Sequence, residues 1–394
     1  MTIGLELTDE QRVIVDTVRE FVDKQVVPVA DAMEHRDEYP AAIVEQMKQM
    51  GLFGVTVPEE YGGLGERLTT YALIVVELAR GWMSLSGILN THFITSYILR
   101  RHGTDEQKAR WLPAMATGEV RAALSMSEPG VGSDVASITC RARLDGDEYV
   151  VDGQKMWVTN GLRSGLVTLL VKTDPATTPA HRGISILMVE KPPEQTSVGG
   201  LTVGSNISKM GYKGVETTEL SFDGHRVPAV NLLGGVEGRG FSQVLDAIEV
   251  GRVNVAARAV GVATRAFEEA IRYAQQRRTF GKPIAEHQAI QFKLAEMATK
   301  LEAGRLMMLN AAQRKDAGER SDLEAGMAKL FASEMCHEVC LDALRIHGGY
   351  GYSAEFTVER LYRDAPFLLI GEGTSEIQKM VIARQLLERH RIQP

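Results

Sequence analysis

The chain has 394 residues, of which 44% are hydrophobic and 24% charged, so its length predicts two or three domains and its composition an ordinary globular protein. Its 44 basic and 51 acidic residues give a net charge of −7, which argues against nucleic acid as the main partner. Three cysteines are too few for a disulfide framework and favour a reducing compartment.

Further absences narrow the class of protein. Residues 1–6 contain no basic region and no long apolar run, which argues against a signal peptide. No stretch approaches the length of a membrane span, so we expect a soluble, cytoplasmic protein. Cys336 and Cys340 lie one helical turn apart around His337. Two thiols without further spaced ligands are more often core residues, and we predict no metal site.

Residues 1–121 carry helical signals throughout. Thr8 followed by Gln11, and Thr104 followed by Gln107, fit the capping box with which helices begin. Apolar residues recur at helical spacing between these points, and glycines close the individual runs. We predict an N-terminal domain that is made only of helices.

Residues 122–230 change to short apolar runs bounded by glycine and proline, a pattern typical of strands. Asp152-Gly153-Gln154 lies between two such runs and predicts the turn of a hairpin. Further strands are expected at 166–171 and 184–189, with at least one more within 201–222. This segment is predicted to be a β domain.

Helical periodicity returns after Gly240 and continues to the end, so we assign residues 231–394 to a third domain. Four helices, enough for a four-helix bundle, are expected near 241–274, 285–316, 322–346 and 375–389. The order of a helical, a β and a second helical domain argues against a dinucleotide-binding βαβ fold. The predicted fold class is therefore α+β, in three domains.

Glu372 stands between two glycines just ahead of the last predicted helix. Glycines allow backbone conformations that a Cβ forbids and let another molecule come close. Ser375 and Gln378 fit a capping box, so we expect Glu372 in the loop before the helix. A carboxyl that is shielded from water there has a raised pKa and suits a general base. The alternative is a solvated Glu in a connecting loop.

Four other segments suit a ligand, although each also has an ordinary structural interpretation. Ser127–Asp134 offers backbone N–H groups to a phosphate or ring edge, or is a plain turn. Trp157 and Thr159 share a strand face and could cover and bond a ring system, or Trp157 could fill the core. Residues 277–284 could clamp a pyrophosphate or form an exposed basic loop. Residues 345–352 could admit a ligand or simply end a helix.

Together these segments resemble the acyl-CoA dehydrogenase family of flavoproteins along essentially the whole chain. Eight stretches match in order: Pro58-Glu-Glu-Tyr-Gly-Gly, Gly103-Thr-Asp-Glu-Gln-Lys, Ser127-Glu-Pro-Gly-Val-Gly-Ser-Asp, Lys155-Met-Trp-Val-Thr-Asn, Lys209-Met-Gly, Arg278-Thr-Phe-Gly-Lys-Pro-Ile, His347-Gly-Gly-Tyr-Gly and Glu372-Gly-Thr. The resemblance implies FAD bound between the β domain and the bundle. It also implies a homotetramer, or a homodimer, in which a neighbouring subunit contributes to each FAD site.

The resemblance further implies which residues form the site. Those expected to contact FAD are Leu124, Met126, Ser127, Gly132, Ser133, Trp157 and Thr159 from the β domain, Arg277, Phe280, Gln288, Arg345, Gly348 and Gly349 reaching the FAD of a neighbouring subunit, and Thr374 and Glu376 after the base. Those expected near the acyl-CoA are Ser133, Glu249, Arg252 and Gly373.

The implied activity is α,β-dehydrogenation of an acyl-CoA thioester to the trans-2-enoyl-CoA, with electrons passed to an electron-transfer flavoprotein. Glu372 would remove the α-proton while the β-hydrogen leaves as hydride to the flavin N5. The FAD ribityl 2′-hydroxyl and the N–H of the base would hold the thioester oxygen. Some relatives carry the base one residue before the position of Arg252. That residue is Gly251 here, which leaves Glu372 as the base.

Three positions depart from the pattern of the family. Gly371 replaces a Tyr that is frequent in straight-chain enzymes, so we expect a roomier pocket that admits branched or functionalised acyl groups. Arg345 stands where many relatives have Gln, which alters a polar FAD contact. Trp82 stands at the position matched to a carboxylate-binding Arg of glutaryl-type relatives, which argues against glutaryl-CoA.

Two alternative functions stay open on the sequence. One is a flavin-dependent oxidase or monooxygenase on the same fold, and the retained Glu372 argues against the monooxygenase. The other is a CoA-binding scaffold without chemistry, against which the intact base and flavin motifs argue.

Overall fold

The computed structural model describes residues 7–392, which run from a helical region through a sheet to a second helical region. The helices of the first region are α1 (Asp9–Phe21), α2 (Val27–His35), α3 (Ala41–Gln49), α4 (Leu68–Gly81), α5 (Met83–His102) and α6 (Asp105–Ala116). Thr8 caps α1 and Thr104 caps α6, each with the reciprocal bonds of a capping box, so both predicted caps are confirmed.

The middle region is a sheet of eight strands. They are β1 (Ala122–Ser125), β2 (Arg141–Asp145), β3 (Glu148–Thr159), β4 (Leu166–Lys172), β5 (Ile184–Glu190), β6 (Ser197–Val198), β7 (Leu201–Val203) and β8 (Thr217–Pro228). Their order is β1-β4-β2-β3-β8-β7-β6, with β5 paired to β4. β1 and β4 run parallel, whereas the long β3–β8 pair is antiparallel.

The hairpin predicted at Asp152-Gly153-Gln154 is wrong, because these residues lie inside β3. The strand continues through them along β8, with a shift of register between Val151 and Gly153. Such a bulge accommodates an irregularity without ending the strand. A Cβ on Gly153 would lie 2.7 Å from Cys140 Cα, so close packing explains the glycine. The turn itself comes earlier, where Asp145 of β2 faces Glu148 of β3.

The two faces of the sheet belong to different cores. Leu166 and Leu170 of β4 are part of the large core that the helices share. Val167, Leu169 and Val171 are part of a separate core within the β region. Because successive residues of a strand point to opposite faces, β4 is buried on both sides. One face thus fixes the sheet to the helices.

The last region contains α7 (Gly240–Gln276), α8 (Gln288–Asp316), α9 (Asp322–His347), α10 (Thr357–Ile370) and α11 (Ser375–Arg389), and two short strands, β9 (Arg278–Thr279) and β10 (Lys282–Pro283), join α7 to α8. α9 packs on the other four helices, which confirms the predicted fold class. Sequence analysis missed α10, because Pro366 lies inside it and proline usually ends a helix.

α4 and α5 connect the regions. α4 is buried along its whole length and packs on α7. Gly261 of α7 permits this approach, since a Cβ there would lie only 2.8 Å from the Cβ of Ala79. α5 packs on both α7 and β1. The first helical region, the sheet and the bundle therefore meet around α5 and α7.

The described chain was compared with the requirements of a membrane span and of a metal site. No helix within residues 7–392 combines the length and the apolar character needed to cross a membrane. The same residues hold no group of three or more His, Cys, Asp and Glu side chains suited to a metal ion. Cys336 and Cys340 are buried in the helical core.

Candidate active site

Glu372 lies in the link of residues 371–374 between α10 and α11. Its φ of 53° is in the left-handed region, which a residue with a side chain adopts at a cost of about 1–3 kcal/mol. Gly373 follows with a φ of 92°, a conformation that glycine accepts readily. The link therefore turns sharply and carries the Glu372 side chain to Asn90 of α5 and Gly251 of α7.

Buried side chains from two helices hold this link in place. Lys329 of α9, which is fully buried, donates to the carbonyl oxygens of Leu369 (3.3 Å) and Gly373 (2.8 Å). Gln378 Nε2 of α11 donates to the carbonyl oxygens of Glu372 (3.3 Å) and Gly373 (3.2 Å). These bonds explain how a strained conformation persists at this point of the chain.

The capping box predicted at Ser375 and Gln378 is wrong by one residue. Thr374 is the N-cap of α11, and its Oγ1 accepts a hydrogen bond from Ile377 N at 3.3 Å. Ser375 Oγ donates to Glu334 at 2.7 Å instead. Gln378 is thereby free to bond the link that carries Glu372.

Helices from both helical regions enclose the carboxylate of Glu372. Asn90 Nδ2 donates to Oε1, whereas Oε2 is buried and accepts no hydrogen bond within residues 7–392. Burial raises the pKa of Glu372, while the positive charge of Arg258 and the bond from Asn90 oppose that rise. A free carboxylate oxygen with a raised pKa suits the abstraction of a proton.

Gly251 of α7 faces this carboxylate at close range. A Cβ on residue 251 would overlap Glu372 Oε2 and would lie 3.3 Å from both Glu372 Cδ and Ile94 Cδ1. The carboxylate can occupy its place only because residue 251 has no side chain. Position 251, where the resemblance places the base of some relatives, and the carboxylate of Glu372 therefore share one volume in this fold.

The space beside Gly371 is not open, so the expected roomier pocket is wrong on this side. A Cβ on Gly371 would lie 2.8 Å from Phe367 Cζ. Phe367 stacks on Tyr212 with ring centroids 4.6 Å apart and an interplanar angle of 23°. An aromatic ring from one turn earlier in α10 thus fills the space that the glycine leaves.

The residues predicted to line the flavin from the β domain come together along two strands. They are Leu124 in β1, Met126 and Ser127 after it, and Trp157 and Thr159 at the end of β3. Met156 N donates to Ser127 O at 2.9 Å, which joins the two segments. Trp157 has a φ of 62° and is 58% exposed, so it does not fill the core and its ring is available to a ligand.

A buried ion pair lies beneath the glycine-containing loop that follows β1. Lys155 Nζ donates to Glu128 Oε1 at 2.9 Å and to Met126 O at 3.0 Å. Glu128 also accepts bonds from Thr139 N at 2.7 Å and Cys140 N at 2.9 Å. Burial opposes ionisation of Glu128, but the charge of Lys155 and these bonds outweigh it and lower the pKa. The pair fixes the loop to β3.

Replacing Lys155 by Met is expected to destabilise the protein by about 3–5 kcal/mol, because Glu128 would be left buried without its counter-charge. Urea denaturation measures the change in the free energy of unfolding. Lys379→Met, at an exposed lysine of α11, is the matched control and is expected to change it by less than about 0.5 kcal/mol. Equally small effects of both substitutions would contradict a structural role for the ion pair.

The loop above this pair carries Gly132 and Ser133, which are both exposed. A Cβ on Gly130 or Gly132 would meet no atom within 4 Å, so the loop presents an open face. Backbone N–H groups on such a face can approach a phosphate or a ring edge. The loop is therefore open on the face where its ligand contacts are predicted.

The residues predicted to reach a neighbouring subunit are all exposed on the bundle. Arg277 and Phe280 belong to the α7–α8 connection, Gln288 is the first residue of α8, and Arg345, Gly348 and Gly349 lie at the end of α9. The structure brings the two groups together, since the guanidinium of Arg277 lies 5.7 Å from the centroid of the Tyr350 ring. Phe280 is 96% exposed and has a φ of 51°, so its ring packs against little of its own chain.

The two α7 residues predicted near the CoA differ in their surroundings. Glu249 accepts bonds from Ser321 N and Lys315 Nζ, both at 3.0 Å, and so serves its own chain. Arg252 is nearly buried, and its Nε has no hydrogen-bond partner within the described part of the chain. Burial lowers the pKa of Arg252, although the nearby charges of Glu249 and Asp322 oppose this change. Glu376, predicted to contact FAD, is exposed in the first turn of α11.

Sequence reasoning did not assign to the base five side chains that surround or support it. These are Asn90, Tyr212, Arg258, Lys329 and Gln378. Four of them lie on helices, and Asn90, Arg258 and Lys329 interrupt apolar runs there. Such a polar residue is a usable signal, because buried polar groups need partners. The partner itself cannot be read from the spacing.

Three family models match the chain in order. The N-terminal domain of acyl-CoA dehydrogenase matches residues 8–119, the middle domain residues 123–225 and the C-terminal domain residues 238–387. The chain belongs to the acyl-CoA dehydrogenase family. The predicted family is thereby confirmed, and the protein is an oxidoreductase.

Several relatives cover nearly the whole chain. The (2S)-methylsuccinyl-CoA dehydrogenase of Cereibacter sphaeroides is 42% identical over 387 residues, which are 97% of this chain and 70% of that protein. The structure of the acyl-CoA dehydrogenase from Geobacillus kaustophilus is 38% identical, with a TM-score of 0.92 over 98% of this chain and 100% of that one. A structure from work on the electron transferring flavoprotein of Acidaminococcus fermentans is 35% identical, with a TM-score of 0.93 over 98% and 100%.

Membership of the acyl-CoA dehydrogenase family confirms FAD as the cofactor. The residues present fit this group. The indole of Trp157 is turned out of the sheet at the end of β3, where it can cover a flat ring system. The open glycine loop after β1 lies against the same strand through the bond between Met156 and Ser127. Which individual residues contact the cofactor remains a prediction.

Proposed function

We propose that the protein catalyses the α,β-dehydrogenation of an acyl-CoA thioester to the trans-2-enoyl-CoA, with Glu372 as the base that removes the α-proton. The observation that carries the proposal is the Glu372 carboxylate, which is enclosed by α5 and α7 with Oε2 free of hydrogen bonds within residues 7–392. A solvated Glu in a connecting loop would not be enclosed in this way. Bound FAD supplies the hydride acceptor for the β-hydrogen at its N5.

Groups of the link itself can support the proton transfer. Glu372 accepts the α-proton only when ionised, and its raised pKa makes it a stronger base than an exposed Glu. The Glu372 N–H donates to no acceptor within residues 7–392. Such an N–H can bond the thioester oxygen and stabilise the negative charge that develops there. Gly373 adds no side chain that could obstruct this approach.

The CoA moiety is proposed to lie near Ser133 and Arg252. Ser133 is exposed in the open loop after β1. The Arg252 guanidinium, whose Nε lacks a partner in the described chain, can pair with charged groups of CoA. The middle and C-terminal domains, proposed at 122–230 and 231–394, would then hold the substrate between them.

We further propose an electron-transfer flavoprotein as acceptor, a homotetrameric assembly and a cytoplasmic location. Similarity to a structure from work on an electron transferring flavoprotein supports the acceptor. The exposed Phe280 and Arg277 support an assembly in which a neighbouring subunit covers them. All three cysteines are free thiols, which supports a reducing compartment.

Anaerobic titration of the purified holoenzyme with a panel of acyl-CoA thioesters tests the proposal. Bleaching of the visible flavin absorption, together with formation of the enoyl-CoA product, is the expected result. A flavin-containing protein that no acyl-CoA thioester bleaches would overturn the proposal. Reoxidation by an electron-transfer flavoprotein, faster than reoxidation by O2, would separate a dehydrogenase from an oxidase.

The activity is expected to fall as the pH is lowered, because protonated Glu372 cannot accept the α-proton. Its pKa is raised above the ordinary value of 4.5, so the acidic limb of kcat/KM should lie above that pH. Asn90→Leu removes one of the groups that oppose the rise and should move the limb to still higher pH. A limb at or below pH 4.5, or one that Asn90→Leu leaves in place, would contradict this account of the base.

A further inference from the structure

Arg258 of α7 is a buried cation without a carboxylate partner. Its side chain is almost fully buried, with 1% exposure. Nε donates to Asn254 Oδ1 at 2.7 Å and Nη1 donates to Tyr212 Oη at 3.2 Å. Both partners are neutral, and no carboxylate oxygen within residues 7–392 lies within ion-pair distance of the guanidinium. Burying a charge without an ion-pair partner is costly, so a guanidinium of this kind can accept the carboxylate of a ligand.

The contacts of Arg258 hold it among the helices that enclose Glu372. Asn254 is itself held, since its Nδ2 donates to Tyr71 Oη at 2.8 Å. Tyr212 is held by its stacking on Phe367, the residue next to the link of the base. Its Oη lies where a side chain on Gly87 of α5 would be, so glycine there leaves room for the hydroxyl. These contacts join α4, α5, α7 and α10 around one guanidinium.

The charge of Arg258 also reaches the base. Of the groups that favour ionisation of Glu372, Arg258 has the largest effect, ahead of Asn90, Lys329 and Arg252. Yet the two side chains form no ion pair, so the guanidinium lies near the carboxylate without being neutralised by it. A ligand that is bound at Glu372 would thus have a cation close by.

Helix geometry gives the approximate distance between Arg258 and the base along α7. Arg258 follows Gly251, which faces the carboxylate, by seven residues, or about 10 Å along α7. Side chains of a helix lean towards its N-terminus, and the bond to Asn254 shows that Arg258 does so by about one turn. The guanidinium is therefore displaced from the level of the base by only about 5 Å. That separation suits an acyl backbone of about four or five carbons.

We propose that Arg258 binds the free carboxylate of a short dicarboxylic acyl-CoA, so that the substrate is a monothioester of a diacid with about four or five backbone carbons. The inference rests on the proposed dehydrogenation at Glu372. A planar guanidinium pairs with a carboxylate more strongly than with neutral groups. The Tyr212 hydroxyl accepts from Arg258, which leaves its own hydrogen to donate to the same carboxylate.

This proposal revises the expectation drawn from Trp82. That residue is fully buried, and its Nε1 donates to Glu34 at 2.7 Å, so it belongs to the core between α2 and α5. Glutaryl-type relatives are expected to have an arginine at the position of Trp82, whereas the proposed cation of this chain is Arg258 of α7. The absence of an arginine at 82 argues against one way of binding a dicarboxylic chain and leaves this second way intact.

Matched pairs of substrates test the proposal. Glutaryl-CoA and methylsuccinyl-CoA are compared with their half-amides, which have the same shape but carry no charge. The holoenzyme is expected to prefer each acid over its amide by at least roughly 30-fold in kcat/KM, the lower end of the effect of a buried charge pair. Arg258→Met should abolish the preference, because kcat/KM for the acids should fall at least roughly 30-fold further than kcat/KM for the amides, which also falls through the loss of a charge near Glu372.

Two further variants keep the test independent of how well Arg258→Met folds. Arg258→Lys retains the charge and should keep part of the preference, and Tyr212→Phe should weaken it without removing it. If Arg258 served only to hold the fold or to adjust Glu372, its replacement would lower turnover of acids and amides equally, which would overturn the proposal. An enzyme that prefers the amides would also overturn it. Failure of every thioester to bleach the flavin would instead overturn the proposed dehydrogenation.

Discussion

Glu372→Gln is expected to lower the rate of flavin reduction by acyl-CoA about 10³-fold, within the range of 10²–10⁴ typical of a lost general base. Gln keeps the shape of the side chain and can still accept the bond from Asn90, but it cannot take the α-proton. Anaerobic stopped-flow absorption of the flavin measures the rate. The substrate should still bind, so a spectral shift of the oxidised flavin on mixing serves as the control.

The same substitution should stabilise the protein near neutral pH. The pKa of Glu372 is raised in the folded state, so the protonated side chain is compatible with folding at low pH. As the pH rises through that pKa, the side chain ionises in its buried position and the free energy of unfolding of the protein decreases. Gln removes this pH-dependent loss. A higher Tm together with a large loss of rate would identify Glu372 as a functional residue that costs stability. Retention of the wild-type rate in Glu372→Gln would exclude it as the base.

Gly251→Ala is expected to lower kcat about 10²-fold while changing Tm little. Its Cβ would overlap Glu372 Oε2, and a carboxylate at the end of a flexible side chain moves at small cost to the fold. A displacement of about 1 Å at a reacting group is enough to cost about 10²-fold in rate. Thermal unfolding and flavin reduction, measured on the same preparation, separate the two effects.

Gly261→Ala on the same helix serves as the opposite control. Its Cβ would lie 2.8 Å from Ala79 Cβ and 2.9 Å from the backbone nitrogen of Arg80, far from the base. This variant should therefore lower Tm more than it lowers the rate of flavin reduction.

Placing a base at 251 in the double variant Gly251→Glu/Glu372→Gly should restore part of the rate that Glu372→Gly loses. Unchanged kcat in Gly251→Ala would show that the carboxylate is not confined as the structure indicates.

Local sequence predicted the parts of the fold that local interactions determine. The capping boxes at Thr8 and Thr104, the change to strands near residue 122 and the position of Glu372 just ahead of a helix depend on neighbours within a few residues. Gly153 shows where this fails. Its Asp-Gly pair is typical of a turn, yet the segment continues as a bulged strand, because pairing with β8 on one side and packing on Cys140 on the other determine its conformation.

The environment of the base could not be predicted from spacing. Asn90 is 282 residues from Glu372 in the chain, and Tyr212 is 46 residues from Arg258. Such contacts depend on how α5 and the segment before β8 pack against α7, which one-dimensional patterns do not specify. The family resemblance supplied Glu372 but not these neighbours. Phe367, which takes the space beside Gly371, is likewise visible only once α10 is folded.

The shared volume of Gly251 and the Glu372 carboxylate has a consequence for how such enzymes diverge. A lineage that moved its base from the link to α7 would have to change both positions. Losing Glu372 first leaves the site without a base, and gaining a side chain at 251 first displaces the base that is present. Either single step is deleterious, so the two arrangements are separated by a fitness valley, and a lineage should keep whichever position its ancestor used.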